Sequence, residues 1–283
     1  MSESRLAQFR TELRGWAAEL SASSEELPVL MAGICRRLGV AVTRRGSVPR
    51  YKAYLSIDPS RDPSAVILLP DGDIRGFERF CVAHELAHYL LFKLHNVKPQ
   101  SQSEYWKHEE ICDEFARHLL IPDRHMGPRL TALSSDDYLT LCWELSQAAK
   151  VPWMQGAIRI TEADPSTVYF RCGREPGDEL KIVSTSLPRQ RGRGTVIREE
   201  WPLHGALDRL LSDAGMAQCR EKRDITDEII RCRQVTALLG ADNVRVVAEA
   251  GFGNFPDIRV AARVTSSACS DNVGLEPRHQ GLD

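Results

Sequence analysis

The chain has 283 residues, 42% of them apolar and 27% charged, with a formal net charge of −2. That length leaves room for two domains, and that composition is ordinary for a soluble globular protein. Near-neutral charge argues against strong nonspecific attraction to nucleic acid. No apolar run approaches the roughly 20 residues of a membrane span, and the Met1-Ser-Glu-Ser-Arg start lacks a signal-peptide core. The 8 cysteines show no CxxC pairing or regular spacing, which predicts reduced thiols in a cytoplasmic protein.

In chain order, residues 4–22 carry apolar side chains at helical spacing (Leu6, Phe9, Leu13, Trp16, Ala17, Leu20) and end in a serine-rich turn. A second helix is predicted from Glu25 to Leu38, stopped by Gly39. Short extended stretches follow at 40–43, 51–57 and 65–69, separated by turns rich in Gly, Pro and Asp. From Phe77 to Leu94 neither Gly nor Pro interrupts a helix whose apolar residues (Phe80, Val82, Ala83, Leu86, Ala87, Leu90, Leu91, Leu94) cover most of its circumference. Such a helix is buried.

That helix contains His84-Glu85-Leu86-Ala87-His88, the HExxH arrangement of a zinc hydrolase. Imidazoles four positions apart share one helix face and suit a single zinc ion, and Glu85 is placed to take a proton from a water. The bland alternative is a pair of solvated or hydrogen-bonded histidines. Burial opposes it, because an unpaired polar group in a dry interior costs about 1–3 kcal/mol. A catalytic zinc takes three protein ligands, and a second helix, Trp106-Lys-His-Glu-Glu-Ile-Cys-Asp-Glu-Phe-Ala-Arg-His-Leu-Leu-Ile-Pro122, offers carboxylates for the third. Glu109 and Asp113 sit four apart, but so do Glu110 and Glu114. Spacing does not choose between the pairs.

The runs Arg79-Phe-Cys-Val-Ala-His-Glu-Leu-Ala-His-Tyr-Leu-Leu91 and Glu109-Glu-Ile-Cys-Asp-Glu-Phe-Ala-Arg-His-Leu-Leu-Ile-Pro122 closely resemble the ImmA/IrrE family of metallo-endopeptidases. Members carry an "rFtlAHElgH" helix followed by E-x-x-A-N/D-x-F-A-x-x-L-L-x-P. The resemblance is specific over about residues 28–122, weaker to about 160 and absent beyond; Cys81 stands where the family usually has Thr, and Cys112 where it has Ala. It implies His84, His88 and Glu109 as metal ligands, Asp113 as the acid behind a ligand imidazole, and Glu85 as the catalytic base. The implied cofactor is Zn2+, or another divalent cation such as Mn2+. The implied fold is α+β, with zincin-like helices packed on a small three-stranded sheet. An edge strand, 51–57 or 65–69, is expected to bind substrate backbone by strand addition. The implied substrate is a helix-turn-helix transcriptional repressor whose cleavage switches on stress or mobile-element genes.

Residues 134–160 read as two helices, one from Ser135 to Ala149 and one from Pro152 to Ile160, where family members often have a helix-turn-helix-like segment. Here the break is Lys150-Val-Pro, and Arg159 is the one basic residue on the second helix, so the pair is read as packed on the protease core and direct DNA binding is not expected. Beyond residue 163 the composition changes. Strands are predicted at 167–172, 179–184, 244–250 and 258–264, and helices at 203–212 and about 226–239. The basic, Gly-rich stretch from Arg189 to Arg198 reads as an exposed loop.

The expected organisation is an N-terminal helix (1–27), an HExxH metallopeptidase domain (28–130), a helical pair (131–162), an α+β sensor or recruitment module (163–267) and a disordered tail (268–283). Tyr89, Tyr105, His108, His118 and His125 are the candidates for stabilising a developing oxyanion, and sequence does not select among them. Two other readings are a DNA-binding regulator with a structural metal and a protein-binding partner without turnover.

Overall fold

The structure, a computed structural model, describes residues 3–48, 53–60, 62–71, 77–96, 101–131, 138–174, 180–187, 193, 225–230, 244–252 and 256–264. The chain separates into two compact units, one of residues 1–133 and 141–159, the other of 134–140 and 160–283.

The first unit is α+β. Helix α1 (Glu3–Ser21) buries Leu6, Phe9, Leu13, Ala17 and Leu20, the stripe its periodicity predicts. Helix α2 spans only Met31–Leu38, shorter than the predicted Glu25–Leu38. Pro28 explains the difference, since the residue before a proline avoids the helical region and proline has no N–H for a ladder. Gly39 ends α2 at φ 70°, a left-handed conformation that glycine adopts without penalty, and its N–H bonds the Arg36 carbonyl at 3.1 Å.

Strands β1 (Val40–Arg44), β2 (Tyr54–Ile57) and β3 (Ala65–Leu69) form a sheet in the order β1-β3-β2. Strand β3 is central, parallel to β1 and antiparallel to β2, and its Ala65, Ile67 and Leu69 are buried on one face. The expectation that 65–69 could receive a substrate strand is therefore corrected: both its edges are paired, and among the described residues β2 has an outer edge with no strand beside it, near the next helix.

Helix α3 (Phe77–His95) packs against α4 (Gln102–Leu120), α1, α2 and the sheet. Of its predicted apolar set all but Leu94 are buried. Helix α4 starts before Trp106 because Ser101 caps it, accepting the Glu104 N–H at 3.2 Å. Helix α1 is fastened to both helices: His95 pairs with Glu12 at 2.6 Å, and Glu114 with Arg10 and Arg14. The short helix α5 (Asp123–Thr131) follows Pro122 and carries Pro128, so no sequence pattern marks it.

Helices α6 (Tyr138–Ala149) and α7 (Trp153–Ala163) are the predicted pair. Lys150 takes φ 53° between them, and the Val151 N–H returns to the Ser146 carbonyl at 3.0 Å, closing α6. Residues Cys142, Leu145, Ser146, Gly156, Ala157 and Arg159 are buried. Arg159 bonds the Ile121 carbonyl and pairs with Asp123, so the single basic side chain of α7 serves packing.

The second unit holds a five-stranded antiparallel sheet in the order β5-β4-β8-β7-β6, built from β4 (Thr167–Arg174), β5 (Leu180–Thr185), β6 (Ile225–Ile230), β7 (Val244–Phe252) and β8 (Pro256–Val264). The expected helix at 226–239 is corrected over its first part, which is strand β6. Ile225, Thr226, Ile229 and Ile230 are β-branched, and pairing with β7 settles a short mixed segment whose periodicity is ambiguous. The remainder of that helix, the helix at 203–212, most of the 189–198 stretch and the 268–283 tail lie outside the described residues.

Candidate metal centre

The centre is built by two helices lying side by side. On α3, His84 and His88 project from successive turns; on α4, Glu109 projects toward them. Their donor atoms form a closed triangle. His84 Nε2 is 3.0 Å from His88 Nε2 and 3.2 Å from Glu109 Oε2, and His88 Nε2 is 3.1 Å from Glu109 Oε1. Tetrahedral zinc with bonds of 2.0–2.1 Å separates neighbouring ligand atoms by about 3.3–3.4 Å. The triangle therefore needs to open by only a few tenths of an ångström. Two imidazoles and one carboxylate are also the donor chemistry of a hydrolytic zinc site with one corner left open.

Each imidazole is held from behind. His84 Nδ1 bonds Asp113 Oδ1 at 2.8 Å, which fixes the ring with Nε2 facing Glu109. His88 Nδ1 lies 3.4 Å from Cys112 Sγ, a contact sequence reasoning did not anticipate. Cys112 is fully buried, and burial, reinforced by the negative charge of Glu109, Asp113 and Glu85, pushes its thiol well above the ordinary range. The thiol stays neutral beside the ring.

The charges in this pocket shape one another. Burial alone would lower the pKa of His84, but Asp113 and Glu109 outweigh it and raise it to about 10. Burial alone would raise Glu109, but hydrogen bonds from His84 and His88 hold it well below the ordinary carboxylate range. Glu85 is half-buried, and burial pushes its carboxyl upward against the pull of both imidazoles and a hydrogen bond from the Leu55 backbone N–H.

That last bond ties β2 to the centre. The Asp58 N–H bonds the Ser64 carbonyl at 2.8 Å, so alternate residues Ser56 and Tyr54 point their backbone groups at β3, and those of Leu55 and Ile57 face the free edge. The exposed edge of β2 thus begins at the Glu85 carboxylate.

The carboxylate pair that spacing left open is resolved by what covers each helix face. Glu110 and Glu114 turn toward α1, where Glu114 receives Arg10 Nε at 2.7 Å and Arg14 Nε at 2.5 Å, and Glu110 lies 3.8 Å from Arg10. Glu109 and Asp113 turn toward α3. The positions Glu85, His84, His88, Glu109 and Asp113 are therefore brought together, and the rival pair is not among them.

Of the five oxyanion candidates, Tyr105 stands one helical turn before Glu109 on α4, and burial together with the nearby Glu109 carboxylate pushes its hydroxyl's pKa up. Tyr89 instead donates to the Leu38 carbonyl at 3.2 Å. His108 is buried, and burial lowers its pKa. Burial together with Arg159 and Arg14 lowers His118 to about 4, and His125 bonds the backbone of Ser24.

Residues 35–161 match a peptidase family model, Peptidase_M78, described as the IrrE N-terminal-like domain. That segment, just under half of the chain, is similar to an IrrE N-terminal-like domain. The family match covers α3 and α4 with the whole histidine–glutamate triangle, and it carries the metallopeptidase character of the resemblance seen in sequence. Among solved structures, a Mycobacterium tuberculosis transcriptional regulator is similar in fold: TM-score 0.51 and 15% identity, covering 90% of this chain and 76% of that one. No curated protein sequence gives a significant match. Among the described residues no helix is long and apolar enough to cross a membrane.

Proposed function

We propose that the protein is a zinc-dependent endopeptidase that cuts a helix-turn-helix transcriptional repressor in the cytoplasm and so switches on stress or mobile-element genes. The observation that carries this reading is the closed triangle of His84, His88 and Glu109, with Glu85 one residue from the first histidine and its carboxylate beside the edge of β2. Zinc held by the triangle supplies Lewis acidity, which polarises a carbonyl and acidifies water. The rest is the work of the chain. Glu85, its pKa raised by burial, accepts the proton of the attacking water and returns it to the departing amine. Asp113 and Cys112 hold the two rings in register. The Leu55 carbonyl and the N–H and carbonyl of Ile57, which face away from β3, offer an extended peptide a strand to pair with.

A repressor substrate is supported by the family resemblance. We assign the β-rich second unit to sensing or substrate recruitment. Direct DNA reading by α7 is disfavoured by its composition and burial, since Arg159 is enclosed. Two measurements test the proposal. Purified protein is expected to hold about one zinc per chain, and Glu85→Gln to retain it while losing cleavage of a co-expressed helix-turn-helix repressor, read by mass spectrometry. Undiminished cleavage by Glu85→Gln sinks the mechanism; metal-bound wild type that leaves every neighbouring repressor intact sinks the substrate.

A further inference from the structure

We propose that the Tyr105 hydroxyl is the donor that stabilises the oxyanion of the scissile carbonyl, a role that rests on the hydrolytic reading above. When water attacks a peptide carbon, a C–O bond forms and the carbonyl π pair moves onto oxygen. The water's proton goes to Glu85 and later leaves with the amine as the C–N bond breaks. No electron or proton remains on Tyr105; it contributes a hydrogen bond to the oxygen where charge accumulates. Such a donor lowers the barrier only if it stands ready beside the reacting carbonyl.

Three observations place Tyr105 there. Its side chain lies near the Glu109 carboxylate, whose two oxygens are each within 3.2 Å of an imidazole nitrogen, so the phenol stands beside the ligand set. It stands one helical turn before Glu109 on α4, in the turn that the Ser101 cap secures. Its side is open: Tyr105 is 43% exposed, packed edge-on to the exposed Trp106, whereas Tyr89 and His108 are enclosed. A hydroxyl on the solvent side of the ligand set is where an incoming carbonyl meets it.

The alternative role, holding Glu109 in position, gives a different result in the same experiment. The zinc-loaded full-length Tyr105→Phe protein is compared with wild type for zinc affinity against a competing chelator, for kcat and KM on a randomised peptide pool, and for binding of an N-phosphoryl dipeptide, a tetrahedral anionic mimic. Expected are zinc affinity within about twofold, kcat lower by about 10²–10³-fold with KM nearly unchanged, and mimic binding weaker by about ten- to a hundredfold. Tyr105→His restores a donor and is expected to recover part of the kcat loss. A zinc affinity that falls in step with turnover assigns Tyr105 to positioning Glu109 and overturns the proposal. So does a wild type that binds zinc but not the mimic, or a Tyr105→Phe protein that binds the mimic equally well. Failure of the hydrolytic reading is separate: it shows as turnover undiminished in Glu85→Gln or absent in wild type, while the mimic titration still reports on Tyr105.

Discussion

The 2.8 Å bond between His84 Nδ1 and Asp113 Oδ1 decides which nitrogen of the ring faces the metal position. With Asp113 removed, the imidazole gains freedom to turn and to shift its proton between nitrogens, and zinc must pay for the reordering. Loss of such an outer partner costs about 10–100-fold in metal affinity. Asp113→Ala is expected to lose that much, measured by chelator competition, and Asp113→Asn less because its amide oxygen still accepts. Unchanged affinity in Asp113→Ala would show that packing alone holds His84.

How far the centre could be read in advance depended on whether a relationship was local. His84 and His88 share one helix, so 3.6-residue geometry places them together without tertiary knowledge. Glu109 and Glu114 have the same local surroundings; what separates them is that α3 covers one face of α4 and α1 the other, which spacing does not encode. The Cys112–His88 contact and the Leu55–Glu85 bond are likewise between elements and left no signal. In the fold, the sheet and main helices follow their periodicity, whereas α5 hides behind Pro128, and in β6 the run Ile225-Thr-Asp-Glu-Ile-Ile230 shows neither strict alternation nor a full helical stripe, so pairing with β7 decides it.

Protons would compete with zinc for these ligand atoms. His84 stands at about 10 in the metal-free protein against an ordinary 6.5. Its contribution to metal-free stability is therefore complete below about pH 6.5 and lost as pH rises through about 10. Glu109 runs the other way: held below its ordinary 4.5, it contributes above that value and loses its contribution as pH falls below it. This pair thus favours the metal-free fold most between about pH 4.5 and 6.5. Zinc requires neutral imidazole, so binding near pH 7.5 is expected to expel about one proton, and apparent affinity to rise about tenfold per pH unit toward pH 10. Calorimetry in buffers of differing ionisation enthalpy reads the proton directly; none released means His84 is already neutral.

Glu114 has the spacing of a ligand acid and a different task. It is buried and receives both Arg10 and Arg14 from α1. Glu114→Ala is expected to cost about 1–2 kcal/mol, the lower part of the range for charged hydrogen bonds because both arginines are partly exposed and screened. Urea unfolding of the zinc-free protein measures the loss, and zinc stoichiometry should remain intact. Loss of zinc at constant stability would reverse the assignments of Glu114 and Glu109.

Helices α6 and α7 approach closely where Gly156 meets Ser146. A Cβ added at Gly156 would lie 2.1 Å from Ser146 Oγ and 3.4 Å from its Cβ. Gly156→Ala is expected to cost about 1–3 kcal/mol through overpacking, despite alanine's better helix propensity. Ser146→Ala removes the colliding oxygen, so the double substitution should recover most of the loss. Additive losses in thermal unfolding of the four proteins would mean that the two positions do not couple.

On the proposed function, the edge of β2 sets the direction in which a substrate peptide lies. Ile57 turns its N–H to the free edge, outside the β3 ladder and away from the Leu55–Glu85 bond. Proline is tolerated where no ladder bond is lost, so Ile57→Pro should fold, bind zinc and keep Glu85 in place. What it loses is one donor to an added peptide strand, a net hydrogen bond worth about 0.5–1.5 kcal/mol. KM is therefore expected to rise about three- to tenfold with kcat nearly unchanged, because the lost contact is made equally in the bound substrate and at the barrier. Ser56→Pro removes a ladder donor instead and should destabilise the sheet. If Ile57→Pro leaves KM unaltered while Ser56→Pro unfolds the sheet as expected, the substrate does not lie along β2.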